Sequence, residues 1–160
     1  MNEDGSRVVS GSWDGTVRVW NALNAKYEMS AVEQEKDREA SALCVSGDRK
    51  SVVAGHDDGG ISIWDVETGR MKEIGLPGQS SEIRSIAMSN GKQFVVSGSL
   101  DSTVRVWNVS TGKQVGDALH ARGDWMNLVA ISHDCRWFIS ASWDMTVRLW
   151  ELPSGKAIGQ

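Results

Sequence analysis

The sequence predicts an all-β fold, a row of small antiparallel sheets repeated along the chain rather than a compact domain with one core. The stretch VVSGSWDGTVRVWN, Val8 to Asn21, recurs as VVSGSLDSTVRVWN at Val95 to Asn108 with two of fourteen positions changed. Looser copies are VVAGHDDGGISIWD, Val52 to Asp65, and FISASWDMTVRLWE, Phe138 to Glu151. The closing tryptophans Trp20, Trp64, Trp107 and Trp150 lie 44, 43 and 43 residues apart, a period that marks a stacked array. Within each copy apolar and polar residues alternate on either side of a tight break, the pattern of two strands joined by a hairpin.

In the first copy the break is Asp14-Gly15, which tolerates positive φ and lets the aspartate bond its own backbone. Beyond it Val17 and Val19 share one face, while Thr16, Arg18 and Trp20 share the other. Ahead of it, Met1 to Arg7 reads as a strand end and its turn, so the chain is expected to begin inside a repeat. Ala22 to Glu39 is irregular, with Glu33, Glu35, Lys36, Asp37 and Arg38 clustered, and predicts a poor strand and a charged loop. SALCVSGD, Ser41 to Asp48, resumes the pattern, followed by SVVAGHDD, GISIWDV, a turn at Glu67-Thr68-Gly69, and RMKEIGL. The same order runs through IRSIAMSNG, QFVVSGSLD, STVRVWNV and KQVGDAL, then through NLVAISHD, RWFISASWD and MTVRLWEL, before KAIGQ starts one more strand. Four strands per repeat with glycine-centred turns suit the blade of a β-propeller. The expected division is an incomplete first blade and charged loop at 1–39, a second blade at 40–77, a third at 78–121 and a fourth at 122–160.

Composition narrows the function. An apolar fraction of 40% over 160 residues is enough to bury a core. No apolar run approaches the ~18 residues of a membrane span, and the N-terminal stretch does not read as a signal peptide. The net charge of −4 is spread without a basic block, which argues against nucleic acid and membrane as partners. Cys44 and Cys135 form no C-x-x-C pair and are expected as reduced thiols of an intracellular, cytoplasmic protein. His56, His120 and His133 fall at unrelated positions and are expected to face solvent, so no metal is expected. No G-x-S-x-G, G-x-x-x-x-G-K-[ST] or H-E-x-x-H motif is present, which excludes the usual hydrolase, NTPase and zinc-protease sites. The repeated aspartates, once per hairpin, read as structural, and the serines have no base at a defined spacing. Neither a catalytic residue nor a cofactor site emerges.

The segments SWDGTVRVWN, IWDVETGR and GKQVGDALH resemble the WD-repeat β-propeller family, most closely the arrays behind NACHT-type NTPase domains of large fungal signalling proteins. The resemblance implies a partial, open propeller of about four four-stranded antiparallel blades, the first truncated. It also implies a buried hydrogen-bond chain in each blade. Its tryptophan would be Trp20, Trp64, Trp107 or Trp150; its aspartate Asp14, Asp58, Asp101 or Asp144; and its serine Ser10, Ser97 or Ser140, with Ala54 unable to serve in the second. The family's Gly-His histidine is absent, Lys36, Gln79 and Arg122 standing there. Each chain is therefore expected to be incomplete, with tryptophan packing carrying more of the stability.

The function implied is non-catalytic: a protein-interaction scaffold whose hairpin-turn rim docks a protein or peptide. By resemblance the rim positions are Trp13, Asp57, Leu100 and Trp143, with Glu39, Ser41, Glu82, Arg84, Trp125 and Asn127 beside the first strands. Three tryptophans and a leucine on one rim suit an interface, because aromatic anchors dominate hot spots. Alternatively they only cover blade edges. The competing functions are the sensor or autoinhibitory segment of a larger NACHT-type signalling NTPase and a carbohydrate-binding propeller. Trp13, Trp125 and Trp143 should then be exposed and the four closing tryptophans buried. The terminal blades should leave an open arc that self-associates.

Overall fold

The structure, a computed structural model, describes residues 7–12, 16–24, 26–32, 38–74, 78–120 and 124–158. Every regular element among them is a strand. The first sheet joins β1 (Arg7–Gly11), β2 (Val17–Asn21) and β3 (Lys26–Val32). The second joins β4 (Ala40–Val45), β5 (Ser51–His56), β6 (Ile61–Asp65) and β7 (Met71–Ile74). The third joins β8 (Ile83–Met88), β9 (Phe94–Ser99), β10 (Thr103–Asn108) and β11 (Gln114–His120). The fourth joins β12 (Met126–Ile131), β13 (Trp137–Ser142) and β14 (Val147–Glu151), and a bridge from Trp150 to Ala157 begins a further strand at its edge. All pairs are antiparallel between sequence neighbours, as short hairpin connections require. β3 pairs with two register shifts, in keeping with its poor alternation. Among the described residues no helix is long and apolar enough to cross a membrane.

Alternation gives each sheet two unlike faces. One carries the tryptophan, set opposite an apolar residue of the preceding strand: Val8 with Trp20, Val52 with Trp64, Val95 with Trp107, Phe138 with Trp150. The other carries the Val/Ile pair of the tryptophan's strand. Stacking puts the Val/Ile face of each sheet, here its leading face, on the tryptophan or trailing face of the next. Thus Val17 and Val19 share a core with Val52 and Trp64, Ile61 and Ile63 with Val95 and Trp107, and Val104 and Val106 with Phe138 and Trp150. Glycines permit close stacking: a Cβ on Gly55 would lie 2.4 Å from Ile83 Cγ2, and one on Gly98 would lie 3.1 Å from Val129 Cγ1. Contacts run from each sheet to the next, so the four sheets form an open arc with β4, β8 and β12 as neighbouring inner strands.

Hydroxyls and amides stitch the seams. Ser41 Oγ donates to Ile83 O at 2.7 Å, Val129 N donates to Ser85 Oγ at 3.0 Å, and Asn90 Nδ2 donates to His133 O at 3.0 Å. Trp64, Trp107 and Trp150 are buried, but Trp20 is only half-buried. The expectation of four buried tryptophans is corrected there, because no sheet among the described residues stacks on the trailing face of the first.

Candidate functional site

At the hairpin-turn end of the sheets one backbone contact recurs. Asp57 N donates to Glu39 O at 3.2 Å, Leu100 N to Glu82 O at 3.0 Å, and Trp143 N to Trp125 O at 3.0 Å. The three pairs therefore occupy one level of three successive blades. Trp125 and Trp143 are 53% and 57% exposed. Glu39, Asp57, Arg84 and Asn127 are exposed as well, while Leu100 and Glu82 are half-buried, Glu82 holding Arg84 through Oε1 at 3.1 Å. Ser41 departs from its expected place on the open rim, because its hydroxyl turns into the seam toward Gly55 O and Ile83 O. Trp13 and Asp14 lie outside the described residues.

The turns that carry this rim are built by the repeated aspartate. Asp58 Oδ1 accepts from Gly60 N at 2.9 Å, Asp101 Oδ1 from Thr103 N at 2.9 Å, and Asp144 Oδ1 from Thr146 N at 2.9 Å. In the last two the threonine hydroxyl also donates to the carboxylate at 2.6 Å. For Asp144 that hydroxyl bond and the backbone N–H hold its carboxyl below the usual carboxylate range. The residue after the aspartate takes positive φ in each turn: Gly59 at 84°, Ser102 at 67°, Met145 at 64°. Methionine is a costly choice for that conformation, and Met145 is almost wholly exposed beside Trp143.

Beneath the rim the tryptophans are fastened unequally. The indole N–H of Trp20 donates to Ser10 Oγ at 2.9 Å, Trp107 to Ser97 at 2.8 Å, and Trp150 to Ser140 at 2.9 Å. In the third blade the chain continues. Ser97 Oγ donates to Gln79 Oε1 at 2.6 Å, Gln79 Nε2 donates to Thr103 O at 2.9 Å and Thr103 Oγ1 at 3.1 Å, and that hydroxyl donates to Asp101. This corrects the expectation that every chain would be incomplete, since a glutamine amide both accepts from the serine and donates to the threonine. In the fourth blade Ser140, Thr146 and Trp150, the counterparts of Ser97, Thr103 and Trp107, also lie together. Arg122 and Lys36, expected at the place of Gln79 in the fourth and second blades, lie outside the described residues.

The second blade has another solution. Trp64 Nε1 is buried with no hydrogen-bond partner among the described residues, as Ala54 dictates. His56 stands edge-on to the indole, centroids 6.4 Å apart, with Nε2 2.9 Å from Ser62 Oγ and Nδ1 3.2 Å from Glu39 O. The expectation of a solvent-facing histidine is overturned here: His56 is fully buried, because alternation along β5 points it inward, while His120 and His133 are exposed. Burial and the nearby Arg38 charge push the His56 pKa down. Arg38 clamps Asp58, at 2.7 Å from Nε to Oδ2, and Glu73. Burial opposes ionisation of Asp58, yet the hydrogen bond from Arg38 keeps its pKa lowered.

Both cysteines are free thiols, and burial pushes Cys44 up to about 12, partly opposed by a backbone bond to Met88. Among the described residues no group of three or more His, Cys, Asp or Glu side chains is placed to hold a metal ion.

The chain matches the family described as WD domain, G-beta repeat, at residues 1–21, 34–65, 71–108 and 118–151, most of its length. It is 32% identical over 80 residues to autophagy-related protein 16 of Arabidopsis thaliana, covering 50% of this chain and 15% of that protein. It is 34% identical over 77 residues to cell division control protein 4 of Candida albicans, covering 48% and 11%. It is 36% identical over 64 residues to small ribosomal subunit protein RACK1y of Oryza sativa subsp. japonica, covering 40% and 18%. Each match thus spans under a fifth of the relative's length. Among solved structures, the computationally designed Ika8 protein superposes with a TM-score of 0.80 at 30% identity, over 96% of this chain and 45% of that one.

Proposed function

This chain belongs to the WD domain, G-beta repeat family, a family generally without catalysis, and from that premise we propose that it is a non-catalytic, intracellular scaffold whose hairpin-turn rim binds a protein or peptide. The observation that carries the proposal is the exposure of Trp125 and Trp143 side by side on a rigid, hydrogen-bonded level. Large aromatics with few rotatable bonds supply binding area at low entropic cost, and they are the usual anchors of interface hot spots. Met145, held at positive φ next to them, extends the same apolar spot, and backbone strain of this kind clusters at functional surfaces. Asn127 lies exposed in the same blade, and Arg84, Glu39 and Asp57 carry polar groups on the third and second blades. Relatives named for autophagy, cell division and the small ribosomal subunit share the repeat, which supports docking rather than chemistry as its contribution.

The test is selection of peptides from a displayed library against the chain, followed by titration into Trp125→Ala and Trp143→Ala. Each substitution should weaken selected peptides at least tenfold, about 1.4 kcal/mol or more. Peptides indifferent to both would defeat the rim assignment. Binding to a glycan array that the two substitutions abolish would favour a carbohydrate ligand held by the same tryptophans. Micromolar nucleotide affinity would count against a purely non-catalytic role.

A further inference from the structure

Along the rim, the two residues joined by the recurring backbone bond change chemistry from blade to blade. In the second blade they are two carboxylates, Glu39 and Asp57; in the third a carboxylate and a leucine, Glu82 and Leu100; in the fourth two indoles, Trp125 and Trp143. Glu39 and Asp57 are exposed although a sheet packs on each side of theirs, so this level faces solvent whatever covers the sheet faces. Its charge is one-sided. The arginines that flank it lie against acids of their own blades: Arg38 against Asp58 and Glu73, Arg84 against Glu82, Arg105 against Asp101 at 4.0 Å, and Arg148 against Asp144 at 3.8 Å. Glu39, Asp57 and Asp124 have no cation partner among the described residues. Asp57 Oδ1 accepts from Glu39 N at 3.1 Å and Asp124 Oδ1 from Trp125 N at 2.9 Å, so backbone amides orient these two carboxylates and leave their charge uncompensated.

We propose that the ligand of this rim is a basic peptide, an extended segment that sets one arginine or lysine across the indoles of Trp125 and Trp143 and others toward Glu39 and Asp57. The inference rests on the peptide-binding reading above and adds the sign of the partner's charge. An indole face attracts a guanidinium or ammonium within about 6 Å of the ring, so the aromatic end and the acidic end of the level select the same ligand. Asp124, bonded to the backbone of Trp125, adds a carboxylate at the aromatic end. A phosphorylated or acidic segment would meet these acids with every flanking arginine already paired, and like charges across an interface are costly. Exposed ion pairs are individually weak. The acids therefore set the choice of partner and the speed of its capture, while the tryptophans hold it.

Display selection against the chain in three arms tests this, with the polar positions of random peptides restricted to Lys and Arg, to Asp and Glu, or to Asn and Gln. The basic arm alone should be enriched. Its winners, made as labelled synthetic peptides, should lose about tenfold in affinity between about 0.05 M and about 0.5 M NaCl. Glu39→Gln combined with Asp57→Asn removes both charges and keeps an acceptor for the Glu39 amide. That variant should bind the same peptides about fivefold more weakly, with its circular dichroism unchanged. Winners from the neutral or acidic arm that need Trp125 and Trp143 would leave the rim as the binding surface and overturn the basic partner. So would basic winners that need the tryptophans but ignore both salt and the charge variant. Basic winners indifferent to the two tryptophans, or no winner in any arm, would overturn the rim reading together with this one.

Discussion

The second and third blades have the same four strands in the same order, and their tryptophans face the same register partners, Val52 and Val95. They fasten those tryptophans by different means. In the third a chain without histidine runs from Trp107 through Ser97, Gln79 and Thr103 to the Asp101 carboxylate. In the second the indole N–H is left over Ala54, and a buried histidine with an arginine clamp supplies the polar contacts nearby. What is common to both is apolar packing between sheets; the polar fastening has been exchanged without moving a strand. Packing between the sheets therefore contributes most of the stability, and the fastening adds a smaller amount on top of it.

Truncation tests that ranking first. Trp107→Ala and Trp64→Ala should each cost about 3–5 kcal/mol, and the two should agree within about 1.5 kcal/mol, by urea unfolding at one fixed protein concentration. A Trp64→Ala cost far below its counterpart would show that the polar chain, not packing, dominates. Replacement by phenylalanine isolates the fastening. Trp107→Phe removes the donor to Ser97 from a buried network and should cost about 1–3 kcal/mol more than Trp64→Phe, which gives up no hydrogen bond. Equal costs for the two phenylalanine variants would break the comparison.

Much of this could be read from the chain before any coordinates. Three Trp–Ser bonds are what the family resemblance implies, Ser10 to Trp20, Ser97 to Trp107 and Ser140 to Trp150, and the gap under Trp64 follows from Ala54 in the same column. Gln79 was harder, because an amide in a loop ahead of a strand belongs to no period and only its burial shows both of its ends in use. His56 was invisible for another reason. It stands where the other blades have Ser99 and Ser142, and its partner Ser62 stands where they have Arg105 and Arg148, so neither exchange has meaning until the two strands are paired. On the rim, the positions of Trp125 and Trp143 come from the family resemblance, and both are exposed. Ser41 was misplaced because the neighbouring sheet, not its own strand, draws its hydroxyl inward.

Protonation distinguishes the two fastenings next. A His56 pKa depressed in the folded state means the unfolded chain takes up the proton first, so the stability His56 contributes is complete above the ordinary histidine pKa and is lost as pH falls through the lower folded value. The urea midpoint should decline on acidification from neutral pH, and His56→Gln should flatten that decline. Gln79→Leu, at a side chain that does not titrate, should lower stability without altering its pH slope near neutrality. An unchanged slope in His56→Gln would mean that His56 is not held neutral by its surroundings.

The smallest effect comes from giving the second blade what the others have. Ala54 is fully buried, paired with Ser62 in the register that Ser97 holds with Arg105, so a serine there places its hydroxyl under the indole of Trp64. Supplying an acceptor to a buried, unpaired N–H is favourable by about 0.5–1.5 kcal/mol. Against this, the new hydroxyl brings its own proton into the core. In the third blade Gln79 accepts the equivalent proton, whereas the second blade has His56 committed to Ser62 and Glu39. The net gain from Ala54→Ser should therefore be only about 0.5 kcal/mol, seen as a higher urea midpoint at an unchanged slope. A loss of about 1 kcal/mol instead would mean that the cost of burying an unaccepted hydroxyl exceeds the benefit to the indole. The alanine would then be the better residue for a blade fastened by its histidine.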